Sequence, residues 1–381
     1  ILAYLITAED YNLIQLKSHK RYVRIDLLNS KYQVVDSLES DIFDGSITID
    51  ATSDLRRSCT LSVVIKDKNF DIDEGGRIWL DKRIQIYIGE ENPRTKDIVW
   101  WNMGIFIINN PERVYNSQTN TLTINGLDLM SLLTGNRNGY IPDMTVVVPI
   151  NSNITQAIQD TIVQMGKIGK YALDNIGQVT PYELKFESGT TVYEIISQLR
   201  DLYYTWQIYF DIDGTFRFNR IPNGLDDSVV FDFTQLTTGL ITSISSTTDF
   251  SNIKNSVKVY GRVLEDGSQV ESELQDKDPN SPFRIEGTIG EIWLPLIQDD
   301  NIINQEQCDD RCKYELILHS RFNDSINIQC IPIPFLDVNQ KIRVENPDGK
   351  IEDYLIQTIN IPLSVDQQMS MECIKVYAEI K

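Results

Sequence analysis

Histidine is nearly absent from this chain: His19 and His319 are the two in 381 residues. A Ser-His-Asp hydrolase needs an imidazole base beside its serine, and neither histidine stands in a recognisable motif. Cysteine is scarce and odd in number, five scattered residues, which excludes a paired disulfide framework. No window is apolar enough to cross a bilayer as a helix. Ile1 to Thr7 is apolar but too short for a secretory signal, and no cleavage pattern follows it. Basic charge is also in deficit, with 35 Lys and Arg against 55 Asp and Glu, for a net charge of −20. That argues against general adhesion to nucleic-acid phosphates, which takes Lys and Arg to displace counterions. It does not exclude a pore through which nucleic acid slides, and it also keeps a protein soluble. There is no Gly-x-Gly-x-x-Gly, no Walker loop and no His-Glu-x-x-His. Carboxylate pairs for glycoside cleavage are available everywhere in such an acidic chain, and none stands out. The sequence therefore assigns no catalytic, cofactor-binding or metal-binding residue, and the chain reads as a non-enzyme.

What is present is β structure, and it recurs. The stretch Asn323 to Tyr377 holds short runs rich in Ile, Val and Tyr, separated by the turns Pro347-Asp348-Gly349 and Val365-Asp366-Gln367. Ile342 and Val344 alternate with Lys341 and Arg343, the period of a half-buried strand. Pro332 and Pro334 stop one strand from extending. An earlier stretch, Lys82 to Leu127, repeats this pattern: a strand entering a turn, then two strands joined by a polar hairpin. Gly45 to Val64 likewise resembles Gly239 to Val259 with one residue inserted. Two blocks thus recur in the same order, the pattern of an internal duplication.

Between the blocks the period changes. Ile154, Ala157, Ile158, Thr161, Ile162 and Met165 fall on one helix face, capped by Ser152 or Asn153 and ended by Gly166. A second helix starts at Thr191 with Glu194 as the other half of a capping box. Its buried stripe is Val192, Ile195, Ile196, Leu199, Leu202 and Tyr203, and a hairpin turning at Asp213-Gly214 follows. In the β-rich stretch before the helices, Trp79, Trp100, Trp101 and Phe106 are available for a core. Further on, residues 264–321 run through an acidic loop, a short apolar run at Ile292 to Ile297 and a helix near Gln305 to Ser320. Such an insertion on a rigid scaffold suits a partner contact.

The expected fold is mainly β with α+β. Its parts are an N-terminal arm or helix over 1–20, a first tube-like β-barrel over 21–145, and an α+β domain over 146–235. A second tube-like barrel takes 236–263 and 322–381, interrupted by the insertion at 264–321. The hairpin opening the first barrel turns around Leu28-Asn29-Ser30.

Three local clusters admit a functional reading beside a bland one. Lys17, Lys20, Arg21 and Arg24 form a basic patch, read as a solvated face or a contact for an acidic neighbour. Asp71, Asp73 and Glu74 before Gly75-Gly76 lack the glycine and terminal glutamate of an EF-hand and read as a polar turn. Cys308 and Cys312 share a helix face, with His319 two turns on, but a metal needs further ligands, and free thiols are the expectation.

The run Asp249-Phe250-Ser251-Asn252-Ile253-Lys254-Asn255-Ser256-Val257-Lys258-Val259-Tyr260-Gly261 resembles the strand that opens the second barrel of the phage tail baseplate hub family. That family includes the hub of contractile tails and the N-terminal structural part of tail-associated lysins. Gly45 to Lys66, with Asp54-Leu55-Arg56-Arg57, looks like the counterpart in the first barrel, and Tyr354 to Tyr377, with Pro362-Leu363-Ser364, is also similar. The resemblance implies a homotrimer whose two barrels per chain make a pseudo-sixfold ring, adapting a sixfold tail tube to a threefold tip. It implies as partners a tail tube or distal tail protein, a tip or spike protein and a tape measure protein, with DNA only in transit through the lumen. It places the protein in the virion tail tip, or a related injection particle outside the cell, after synthesis in the bacterial cytoplasm. Lysins carry a C-terminal cleaving domain; the chain ends at Lys381, so that activity is expected to be absent, and because it begins at Ile1 a few residues are expected to precede it. The alternatives are a β-rich carbohydrate-binding protein using an exposed aromatic such as Trp100 or Trp101, and a glycan hydrolase with an unrecognised carboxylate pair. Trp100 and Trp101 are neighbours on a strand, so at most one faces outward.

Overall fold

The computed structural model describes residues 6–376 except 17, 39–41, 66–71, 116–119, 143–144, 204, 223, 236–238, 252, 265, 280, 320–322 and 365. Lys17, Asp71, Asn252, Val365 and Tyr377 therefore lie outside the described residues. The chain divides into two compact units, Ile1–Ile244 with Asn327–Cys373, and Ser245–Ile326 with Ile374–Lys381.

The first unit opens with helix α1, Ala8–Ile14, where Thr7 and Asp10 form a reciprocal capping box. Seven strands follow: β1 Arg21–Leu28, β2 Val34–Leu38, β3 Ile42–Asp50, β4 Arg57–Val64, β5 Arg83–Glu91, β6 Ile98–Tyr115 and β7 Asn120–Asp128. Alternation decides their faces. Along β4, Arg57, Cys59, Leu61 and Val63 are buried while Thr60 and Val64 are exposed. Each fully buried Leu or Val contributes on the order of 2 kcal/mol, so one strand of this kind fixes its own register. Gly126 on β7 is required by close approach: a Cβ there would strike the Cys59 sulfur on β4 and Phe106 on β6.

The α+β segment comprises β8 Val146–Val148, α2 Ile154–Asp160, β9 Tyr171–Leu173, β10 Leu184–Phe186, α3 Val192–Asp201, β11 Trp206–Phe210, β12 Phe216–Arg220 and β13 Val229–Asp232. Asn153 caps α2, which continues as a π-helical turn over Thr161–Met165. Helix α3 begins at the expected box, Thr191 Oγ1 accepting from the Glu194 amide and Glu194 Oε2 from the Thr191 amide. Its predicted stripe from Val192 to Leu202 is buried, with Tyr203 half-buried at the end. Asp213-Gly214 turns the β11–β12 hairpin, Gly214 taking a φ of 76° that favours glycine.

Strand β14, Ile241–Asp249, is followed by β15 Ser256–Val263, β16 Gln269–Gln275, β17 Ile297–Gln298 and α4 Gln305–His319. The chain then forms β18 Asn323–Cys330, β19 Lys341–Glu345, β20 Ile351–Pro362 and β21 Met369–Lys375. Among the described residues thirteen strands make one sheet, ordered β14-β18-β21-β20-β3-β4-β7-β6-β5-β1-β2, with β19 beside β20 and β13 beside β19. The protein is thus mainly β, and strands from both expected β blocks lie in that sheet.

The duplication shows as a repeated order. In the first half the sequence of neighbours is β3-β4-β7-β6-β5, and in the second β14-β18-β21-β20-β19. One correction follows. The place of β4 is taken in the second half by β18, not by the Ser256–Val263 strand that the sequence comparison aligned with it. That strand, β15, lies in a separate three-stranded sheet, β16-β15-β17, in the second unit. Val257 and Val259 there pack with Ile302, Cys308 and Cys312 into a small core of their own. A second difference is β16, inside the expected acidic loop: Val270 and Leu274 turn inward between exposed glutamates, an alternation its charge obscured.

Candidate assembly interface

The two halves are joined by backbone. Strand β20 pairs antiparallel with β3, Thr358 opposite Asp50 through Pro362 opposite Ser46. Asn360 Nδ2 donates to Thr48 Oγ1 across this pair at 3.0 Å. Along β20, Ile351 to Leu355 pair with β19, while β21 and β3 flank the strand beyond.

The corresponding strand of the first half, β6, is only half covered. Its residues Ile98 to Ile107 pair with β5. Phe106 and Ile107 pair with β5 and β7 at once, so those partners hold opposite edges. Past Ile107, β7 remains on one edge through Tyr115, and no strand of this chain takes the other among the described residues. A bulge at Asn110, with φ 43°, and Pro111 mark the change. Glu112 to Tyr115 are exposed, Tyr115 at 77%. At the far end of the sheet, β14 pairs with β18 alone among the described residues, and its Thr242 and Ser243 are exposed.

A second junction positions the α+β segment. The Asp54-Leu55-Arg56-Arg57 run that carried the family resemblance supplies two buried arginines. Arg57 donates to the Phe210 carbonyl at 2.9 Å and to Asp337 Oδ2 at 2.5 Å. Arg56 donates to Gln207 Oε1 at 2.6 Å and lies 3.8 Å over the Tyr209 ring. Burial, with Arg57 beside it, pulls the Arg56 pKa downward. Asp128, buried beneath them, is raised by the same loss of water although the Met130 and Arg57 amides donate to it. A polar cavity of about 420 Å3 opens here, lined by Arg56, Tyr209, Asp211, Arg217, Asp337 and Gln340 among others. Tyr209 is the aromatic residue in its lining, and the Arg56 guanidinium lies over one face of that ring.

The clusters singled out in the sequence are placed as follows. Lys20, largely exposed, pairs with Glu91, buried Arg21 pairs with Glu90, and Arg24 lies over Tyr87 and Trp100. Trp101 is buried and donates to Asp10 Oδ1 at 3.0 Å, while Trp100 is half-buried under Arg24. Asp73 and Glu74 lie exposed in a turn. The Cys308 and Cys312 thiols reach the Val259 and Val257 carbonyls at 3.5 Å each. His319 lies 3.5 Å from Glu315, and no group of three metal-ligating side chains gathers among the described residues. No helix among them is long and apolar enough to cross a membrane. What sequence reasoning missed was Asp337, whose partner sits in the other half of the chain; nothing local marks it.

Residues 280–379 match a family described as a domain of unknown function, DUF5048. No curated protein sequence matches the chain. The fold is similar to that of the tail protein from Neisseria meningitidis MC58, with TM-score 0.64 and 12% identity over 93% of this chain and 96% of that one. It is similar to the 43 kDa tail protein of prophage MuSo2 from Shewanella oneidensis, with TM-score 0.63 and 12% identity over 93% and 98%. The prophage tail protein gp18 from Listeria monocytogenes EGD-e matches with TM-score 0.56 and 12% identity over 91% and 94%. At such identities the likeness establishes the fold: this chain is built, nearly end to end, like phage and prophage tail proteins.

Proposed function

We propose that this chain is a structural hub of a phage tail tip or related injection particle, with no catalytic role. Three copies close into a ring in which six similar halves alternate, meeting a sixfold tail tube on one side and a threefold tip or spike on the other. The observation that carries this reading is the repeated five-strand order within one sheet, because a threefold ring can match a sixfold tube only if each chain presents two similar surfaces. Each half then acts as one wall segment of a tube-like barrel, over residues 21–145 and over 236–263 with 322–381. The segment 264–321 and the α+β domain over 146–235 decorate the wall. A tail tube or distal tail protein and a tape measure protein are the remaining partners. The net charge of −20 suits a lumen that DNA crosses without adsorbing.

Mass in solution tests the ring. Light scattering on a sizing column should give three times 43.7 kDa, and negative-stain images should show rings. A monomer at all concentrations, with affinity for sugars, would replace this reading with the carbohydrate-binding one.

A further inference from the structure

The polar cavity beside Arg56 lies wholly in the first unit, and its volume of about 420 Å3 falls among small-ligand sites, roughly 300 to 1,000 Å3. Three of its polar lining side chains are deeply buried: Arg56, Gln207 and Gln340, at 6%, 9% and 7% exposure. Their acceptors are already taken. Gln207 Oε1 accepts from Arg56 Nη2 at 2.6 Å and from Asn339 Nδ2 at 3.1 Å. Gln340 Oε1 accepts from the Asp337 amide at 3.0 Å. These donors fix which end of each side-chain amide is oxygen and leave its NH2 group over. Neither NH2 group has a partner among the described residues, and the Arg56 guanidinium spends on Gln207 one of its five N–H donors. The floor of the cavity thus has donors to spare and no acceptor to spare, and a buried donor left unmet is costly.

Charge narrows the ligand. Arg217 pairs with Asp211, Asp213 with Lys170, Asp337 with Arg57 and Lys341 with Asp353. Three charged lining residues have no ion-pair partner among the described residues: Arg56 at the floor, exposed Asp174 and half-buried Asp227. A bare anion meets one spare cation against two spare carboxylates, so it is disfavoured. A ligand with a negative and a positive end suits both. We propose that this cavity binds a small carboxylate that also carries an ammonium group, either a free amino acid or the C-terminal lysine of a peptide. Its carboxylate takes the spare N–H groups of Arg56, Gln207 and Gln340, and its ammonium takes Asp174 and Asp227. Guanidinium and amide N–H groups converging on one carboxylate give charge-assisted hydrogen bonds, the strong kind. The site is complete within one chain and stands independently of the ring.

Calorimetric titration of the full chain tests this with free L-lysine, acetyl-glycyl-lysine, the same dipeptide as its C-terminal amide, and inorganic phosphate. Binding of lysine alone assigns the site to a free amino acid, and binding of the free-acid dipeptide assigns it to a chain end; either supports the proposal. The amide should bind about tenfold more weakly or worse than the acid, because it lacks the charged acceptor. Binding by neither lysine nor the free acid, equal binding of acid and amide, or phosphate binding as tightly as lysine overturns it. Gln207→Glu keeps the acceptor for Arg56 and Asn339 and gives Arg56 a carboxylate, so the thermal midpoint should hold while affinity falls about tenfold or more. Undiminished affinity in that variant overturns the proposal. Should Gln207→Glu fail to fold, Asp174→Asn at its exposed position decides: weaker lysine binding supports the ammonium contact, and unchanged binding overturns it.

Discussion

Arg57 and Asp337 stand 280 positions apart in the chain and meet at 2.5 Å, tying the start of β4 to the loop before β19. The arginine side chain is 3% exposed, and its other nitrogen reaches the β11–β12 hairpin at Phe210. One guanidinium thus holds both β halves and the α+β segment.

Removing it should be costly. Arg57→Ala leaves a carboxylate and a buried carbonyl without their donor, a loss of about 3 kcal/mol or more. The urea midpoint should fall with an unchanged slope if the native fold survives. Asp337→Asn keeps an acceptor oxygen and should lose less.

Acid should weaken the sheet through Glu90. Its buried carboxylate lies 2.8 Å from His19 Nδ1 and 2.8 Å from Arg21 Nη2. Burial alone would raise its pKa, but His19 and Arg21 outweigh that and hold it below its ordinary value. A folded-state value below the unfolded one gives stability that is full above the unfolded pKa, about 4.3, and is lost as pH falls through the folded value. Glu90→Gln should flatten the stability profile in that acid window while lowering stability at neutral pH. An unchanged acid limb would remove Glu90 from the account.

The capping box of α3 supplies a local test. Thr191→Ala gives up the bond to the Glu194 amide and should cost about 1 kcal/mol, read as a lower thermal midpoint. Thr191→Ser should restore most of it.

Thiol chemistry should be silent until the protein unfolds. All five cysteines are buried. Burial pushes the Cys308 thiol up to about 11 and Cys330 to about 12, and it raises Cys59 and Cys373 further. An aromatic disulfide reagent at pH 8 should therefore titrate essentially none in the native chain and five in urea. Zinc should leave the thermal midpoint where it is.

The elements were legible wherever periodicity was strong and local. The stripe from Val192 to Leu202 and the box at Thr191 could be read directly, because a helix places those residues together by its own geometry. Pairing was not legible. Alternation in SVKVYG announces a strand at Ser256–Val263 but says nothing of its neighbours, so β15 passed for the partner of β14. Strand β18, which holds that place, lies after the whole insertion, and sequence similarity to β4 is too slight to reveal it.

The ladder between Thr358–Pro362 and Ser46–Asp50 sets a composition rule for anything this chain builds. Two separately encoded subunits would depend on matched expression, and like could pair with like. Fused and stitched by backbone, the two kinds of half are produced one for one. That contact forms at any dilution, with no partner to find. Selection is then free to let the halves diverge, one carrying an insertion and the other not, while their ratio stays fixed.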